Sequence, residues 1–363
     1  MLNSLYIKNY RNLKKLQIDS VGQVNLICGK NNTGKTSILE AIYIYTTKAS
    51  GNAIAHVLSG RGEFQNNDYQ EESIIELLPS VFYNENIEET IQIGNCKEGK
   101  FYSEKGIELQ LVRYIYEEEE NIETGEIIKK KKNIPFEQFD NYSNSKIGLD
   151  IKIDGGYFFV DEKGRILGNT FKRLLFFDVH FVTARAVTPN EILFDRISLS
   201  DKKKKSVIDA LKIIEEKINN LSYIADKSNE ERKPKVTFED SSEIKLLSRM
   251  GDGIRRILTI VLSMVNCENG YLLIDEFENG LHYSVQEQLW KIIFKLAKDL
   301  NIQVFATTHS NDCIHSFSKV LNEKNNEVSG KLIRLDNKNG EITPEIFSPE
   351  ELTIATEQYI EIR

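Results

Sequence analysis

Residues 29–36 read GKNNTGKT, and the spacing Gly-x4-Gly-Lys-Thr is set by chemistry more than by folding. A phosphate is gripped by backbone N–H groups that converge where side chains do not intrude, which glycine permits, and by a cation reaching its outer oxygens. In that reading Asn31, Asn32, Thr33, Gly34, Lys35, Thr36 and Ser37 form the cradle. Lys35 carries the cation, and the Thr36 hydroxyl is a ligand for Mg²⁺. Hydrolysis of a bound triphosphate requires carboxylates as well, and YLLIDEFENGLH (residues 271–282) supplies them at the end of an apolar run. Asp275 there would hold the metal through its coordination shell, and Glu276 would polarise the attacking water.

A third segment, VFATTHSND, sets His309 at the tip of another apolar run. An imidazole in that place can donate to a terminal phosphate and report its loss. A histidine with only a structural role is one alternative. A metal shared with Cys313 and His315 is another, although H-x3-C-x-H matches no usual zinc spacing.

Groups so far apart in sequence need a scaffold that brings strand ends together. QVNLIC reads as a buried strand leading into the glycine loop, and TSILEAIYIYTT as the helix after it, whose positive N-terminal end favours the same anion. Downstream, YLLID, QVFATT and KLIRLD read as strands, alternating with helices at GIRRILTIVLSMV and VQEQLWKIIFKLAKDL. That order argues a mainly parallel sheet covered on both faces. The opening SLYIKNYRNLKKLQID reads as a β-hairpin, and no internal repeat is visible.

Two lysine runs invite a nucleic-acid reading. If Thr124 and Gly125 form a two-residue turn, Glu117, Glu118, Glu119 and Glu120 face Lys132, Lys131, Lys130 and Lys129, giving a solvated ladder. The second run, Lys202 to Lys205, opens the helical segment DKKKKSVIDALKIIEEKINNL and has no matching acidic block. The whole chain of 363 residues carries 47 basic and 55 acidic side chains, so its overall field repels a polyanion. Cys28, Cys96, Cys267 and Cys313 include no CxxC pair, and MLNSLYIKNYRN lacks the apolar core of a signal peptide. The longest apolar run falls far short of the roughly 18 residues that a membrane span requires. A cytoplasmic protein with no membrane contact is expected.

GKNNTGKTS, LLIDEFENGLH and ATTHS in that order, with SRMGDGIRRIL upstream of the carboxylates, resemble the ABC-type ATPases of the SMC and RecF kind. Within them the chain is similar to the OLD-like ATPases of bacterial phage-defence systems. The resemblance covers roughly residues 1–60 and 175–363. It implies an α/β P-loop NTPase of ABC-ATPase-head type, with an inserted β-rich lobe and a short helical insertion. The head is expected at 1–65 and 171–363, the lobe at 66–170 and the helical insertion at about 198–235.

The same resemblance implies ATP and Mg²⁺ as ligands and a homodimer or higher oligomer built head to tail. Gly251, Asp252 and Gly253 of MGDGIRR would then touch the γ-phosphate bound by the other subunit. The usual serine of that signature is replaced by Met250, or by Ser248 shifted by two places. ENGLH, with His282, resembles a dimer-facing loop, and Gln65 and Gln70 are candidates for a loop linking nucleotide to lobe. NYRN, around Arg11, resembles a hairpin whose arginine lies near the nucleotide; an exposed hairpin tip is the alternative. Arg185 and Arg196 lie in a segment that looks family-like without a role.

Such heads close on ATP and open on hydrolysis, so their output must act on something else. The insertions are too short for a coiled-coil arm. OLD proteins carry a Toprim nuclease after the head, whereas EQYIEIR closely follows the last expected head strand. The first expectation is therefore a defence ATPase controlling a separately encoded effector of the Toprim-nuclease class. The alternative is a DNA-repair or recombination ATPase that clamps duplex DNA itself, using Lys202 to Lys205 with Arg255 and Arg256. A transporter ATPase is a third reading, which the inserted lobe fits poorly.

Overall fold

Apolar runs without polar alternation must be covered on both faces, and Val24–Gly29, Tyr271–Ile274 and Gln303–Thr307 are buried at every residue. The structure is a computed structural model. It describes residues 1–63, 74–120, 127–136, 144–153, 156–162, 165–167, 177–183, 190–226, 229–239, 241–323, 326–358 and 362. Gln65, Gln70, Arg185 and the Thr124–Gly125 turn lie outside the described residues.

The chain divides into two compact units, one of Met1, Ser20–Leu39 and Phe177–Arg363, the other of Leu2–Asp19 and Glu40–Phe176. The first contains a six-stranded sheet in the order Val179–Val182, Tyr271–Ile274, Gln303–Thr307, Val24–Gly29, Gly330–Lys338, Glu341–Phe347. All neighbours in it run parallel except the last pair. Parallel neighbours need crossovers, and the amphipathic helices Asp252–Val265, Tyr283–Asp299 and Asn311–Leu321 supply apolar faces for the core. Phe277, just beyond one strand, stacks on Trp290 with centroids 4.0 Å apart, and both rings are fully buried.

In the second unit an antiparallel sheet of eight strands starts from the hairpin Leu5–Tyr10 and Leu13–Ile18. Leu5–Tyr10 also pairs with Ile91–Lys97, so this sheet extends to both sides of residue 66, where the lobe was expected to begin. The lysine and glutamate runs do face each other, in a register two residues from the expected one: Glu117 opposes Lys130, and Glu118 opposes Lys129. The expected register rested on a two-residue turn at Thr124 and Gly125, which lies outside the described residues. Ion pairs survive the shift, with Lys132 to Glu117 at 2.7 Å, Lys130 to Glu119 at 3.2 Å and Lys129 to Glu118 at 3.6 Å. Lys131 turns instead to Asp150 at 2.8 Å and lies over the Phe159 ring.

The expected helix beyond Asp201 also ends early. Ser200 caps Asp201–Leu211, after which Ile218–Asp226, Asn229–Phe238 and Ser241–Leu246 form a three-stranded antiparallel sheet. Leu221, within the expected helical segment, is buried from a strand opposite Val236. Two lysines of the second run find acids, Lys203 at Glu268 (3.0 Å) and Lys204 at Asp201 (2.9 Å).

Gly270 shows how tightly the edge of the six-stranded sheet is packed. A Cβ there would lie 1.9 Å from the Asp178 carbonyl oxygen, which accepts the Tyr271 N–H at 2.9 Å. Gly270→Ala is expected to destabilise the fold by about 3 kcal/mol in chemical denaturation. Gly51→Ala, at a helix start with open space around it, serves as the control and should be near neutral.

Candidate functional site

Parallel strands bring their carboxyl ends to one edge, and the loops leaving that edge converge. Val24–Gly29 runs into the glycine loop and then the helix Lys35–Thr46. The loop needs left-handed backbone at Asn32 (φ 62°) and Gly34 (φ 85°). At Gly29 a Cβ would lie 2.5 Å from the Leu335 carbonyl oxygen. Thr33 donates its hydroxyl to the Lys30 carbonyl at 2.8 Å, closing the turn.

Lys35 donates to the carbonyls of Gly29 and Lys30, each at 2.8 Å, and is only 6% exposed. Burial pushes its pKa down, opposed by the negative groups around it, Asp275, Glu278 and Glu276 among them. A desolvated ammonium whose partners are neutral carbonyls gains from a polyanion that brings negative charge to it.

The carboxylate turn meets this loop directly. The Thr36 hydroxyl donates to Asp275, with Oδ2 at 3.1 Å and Oδ1 at 3.2 Å. Oδ1 also accepts the Thr307 hydroxyl at 2.6 Å, and the Thr307 oxygen accepts the Glu276 N–H at 2.9 Å. Glu276 has φ 49°, a conformation that costs a side-chain-bearing residue energy and persists only where its surroundings enforce it. Two groups do so. Besides Thr307, the Arg256 guanidinium donates to the carbonyls of Asp275 at 2.8 Å and Glu276 at 3.0 Å. The Glu276 side chain itself is exposed.

Asp275 and Thr36 together form a set of hard oxygen donors of the kind Mg²⁺ takes, with phosphate and water completing its shell. Among the described residues no three His, Cys, Asp or Glu side chains gather as a metal site. Cys313 is fully buried, and burial pushes its thiol pKa up, as suits a core thiol.

His309 lies at the next strand tip, where its backbone N–H donates to Glu278 at 2.7 Å. Gly253 has Gly280 and Ile214 as neighbours, so the MGDGIRR loop abuts the ENGLH turn. Gly251 and Asp252 are exposed. The His282 side chain accepts the Ser284 N–H and caps the helix Tyr283–Asp299. Arg11 belongs to the other unit and is no exposed tip: it is 8% exposed and binds the Glu63 carboxylate at 2.8 and 2.9 Å. Arg196 is exposed near the end of the helix Asn190–Ile197, and Arg255 is exposed beside Asp252. Arg256 differs from the expected basic face, because its guanidinium is occupied with backbone carbonyls.

Thr307 and Glu278 were not among the expected site residues. Their one sequence signal is polarity at the end of a buried strand, in ATTH and DEFE.

A glycine loop on a central parallel strand, with a carboxylate turn and a histidine tip beside it, defines an ABC-type P-loop ATPase head. The chain belongs to the AAA ATPase domain family, whose profile matches residues 1–172 and 184–314. An ATP/GTP phosphatase of Helicobacter pylori is 27% identical over 377 residues, spanning 97% of both chains. The DNA replication and repair protein RecF of Oenococcus oeni is 49% identical over 49 residues, only 13% of its length. A solved SMC head bound to the C-winged helix domain of ScpA has a TM-score of 0.50 at 12% identity, covering 97% of this chain and 99% of that one. Among the described residues no helix is long and apolar enough to cross a membrane.

Arg256→Ala removes charged donors from two carbonyls of the carboxylate turn. It is expected to lower kcat for ATP by about 10- to 100-fold while nucleotide affinity stays within about twofold. Steady-state hydrolysis and titration with a fluorescent ATP analogue check the two halves.

Proposed function

We propose that this chain is a Mg²⁺-dependent ATPase working as a nucleotide-gated, head-to-tail dimer. It would control a separately encoded effector of the Toprim-nuclease class, in the manner of OLD-like defence systems. The observation that carries the catalytic half is the hydrogen-bonded chain from Thr36 through Asp275 and Thr307 to the Glu276 backbone. It ties the phosphate loop to the carboxylate turn and leaves the Glu276 carboxylate facing outward.

In this reading Lys35 exchanges its two carbonyl partners for outer phosphate oxygens, and the loop N–H groups take the inner ones. Thr36 and Asp275 would hold Mg²⁺, which when bound neutralises charge on the phosphates. Glu276 orients water and draws off its proton, and His309 donates to the terminal phosphate. Exposure of Gly251, Asp252, Glu276, Gly280 and Tyr283 in the same unit supports a second copy as cover for this face.

The effector half draws on the order of motifs and on the similar SMC head, which was solved with a domain of a partner protein, ScpA. A head alone converts turnover only into its own closing and opening. Direct DNA clamping has less support, since Lys203 and Lys204 of its basic run have acidic partners and Arg256 faces inward.

Glu276→Gln tests the proposal. It is expected to slow ATP hydrolysis by about 100-fold or more and to accumulate a larger MgATP-bound species in light scattering. EDTA should abolish wild-type turnover. Turnover indifferent to Glu276, or light scattering indifferent to MgATP in both proteins, would remove the gated dimer.

A further inference from the structure

The chemistry above uses Asp275 and Glu276 and gives no task to Glu278, yet this carboxylate makes two short contacts. Its Oε2 accepts the Thr308 hydroxyl at 2.7 Å, and its Oε1 accepts the His309 backbone N–H at 2.7 Å. The Thr308 oxygen accepts the Ser310 N–H at 3.0 Å, and Thr308 is fully buried. Ser310 in turn caps the helix Asn311–Leu321 through the Cys313 N–H. Where a strand gives way to a helix, the ladder partners run out, and here a carboxylate from the neighbouring turn replaces them.

The rest of the junction follows the same plan. Asp275 and the Glu276 N–H hold the Thr307 hydroxyl, and the Phe277 N–H donates to the Thr307 carbonyl at 2.9 Å. Asp275, Glu276 and Phe277 thus each grip Thr307, and Glu278 grips both Thr308 and His309.

We infer that Glu278 is a positioning residue, which fixes His309 relative to Glu276 so that the carboxylate turn and the histidine tip move as one body. The inference rests on the roles proposed above for those two residues. An ionised carboxylate suits the place because it is acceptor-only and can serve an O–H and an N–H on separate oxygens. Glutamine keeps the shape but offers a single acceptor oxygen, alanine offers none, and aspartate falls one methylene short of the same reach.

The test uses the full chain with Glu278→Ala, Glu278→Gln, His309→Ala and the Glu278→Ala/His309→Ala double variant. Two readouts are taken: kcat and KM for ATP, and the imidazole resonances of the five histidines by NMR. The His309 signal is assigned by its loss in His309→Ala. Glu278→Ala is expected to lower kcat by about 10-fold or more with KM within about twofold, and the double variant to be no slower than His309→Ala alone. Glu278→Gln should lie between wild type and Glu278→Ala, and it serves in place of Glu278→Ala if the latter fails to fold. The His309 resonance should move in the Glu278 variants while the remaining imidazoles hold still.

Losses that multiply in the double variant, or a His309 resonance that ignores Glu278, would overturn the inference. Wild-type turnover that does not depend on Glu276 would defeat the hydrolytic reading alone. The His309 resonance of the nucleotide-free protein still decides whether Glu278 sets that histidine.

Discussion

Strand Gln303–Thr307 pairs with Val24–Gly29 on one side and Tyr271–Ile274 on the other, and the site hangs from the ends of these three. Register decides what can meet. With Thr307 beside Ile27 and Ala306 beside Ile274, the Thr307 hydroxyl comes within reach of Asp275. A parallel sheet cannot slip by one residue without turning every side chain to the opposite face, and here both faces are buried. The phosphate loop, the carboxylates and the histidine are thus placed by main-chain pairing before any side chain among them makes a bond.

Once placed, the groups are held in states they would not choose in water. Lys35 is desolvated and satisfied by two carbonyls, and Glu276 sits in left-handed backbone. Lys35 draws its support from carbonyls of its own loop, whereas Glu276 is supported from outside the motif that contains it. Glu276 is held from the strand by Thr307 and from the helix Asp252–Val265 by Arg256. That helix begins at the MGDGIRR loop, so a displacement at Asp252 reaches the Glu276 carbonyl through one turn of helix and one side chain. Preorganisation of this kind lets an incoming phosphate meet a charge arrangement that needs little rebuilding.

How much of this could be read in the sequence depended on how local its cause was. The glycine loop, the acidic pair after YLLI and the histidine after VFATT were legible because each is a fixed spacing at the end of an apolar run. So were the six-stranded sheet's inner strands, whose continuous burial leaves no alternation. The lysine and glutamate ladder was legible as a pairing but not in register. Opposite-charge runs mark which strands pair, whereas register follows the turn, and the sequence of residues 121–126 carries only a Thr-Gly dipeptide to set it. The helix at Asp201 was extended too far because Ile214, Ile218 and Leu221 satisfy helical spacing, while the β-branched Ile218 equally suits the strand that it opens. The part Arg256 plays was illegible for another reason. It acts on backbone carbonyls, and a carbonyl leaves no residue type behind to mark it.

Exposure within the first unit gives the site its remaining constraint. Proton transfer to a carboxylate is efficient when water is ordered and few in number, yet Glu276 points outward beside Asn279 and Gly280, which are also exposed. Under the proposed function, a single chain with this geometry would bind phosphate more competently than it cleaves it. Under the proposed dimer the same loops would be buried by the partner's loops only while nucleotide bridges them, so water would be ordered and the interface formed in one event. Differential affinity for nucleotide in the open and closed states would then set both assembly and rate, which is the property a switch requires and a housekeeping hydrolase does not.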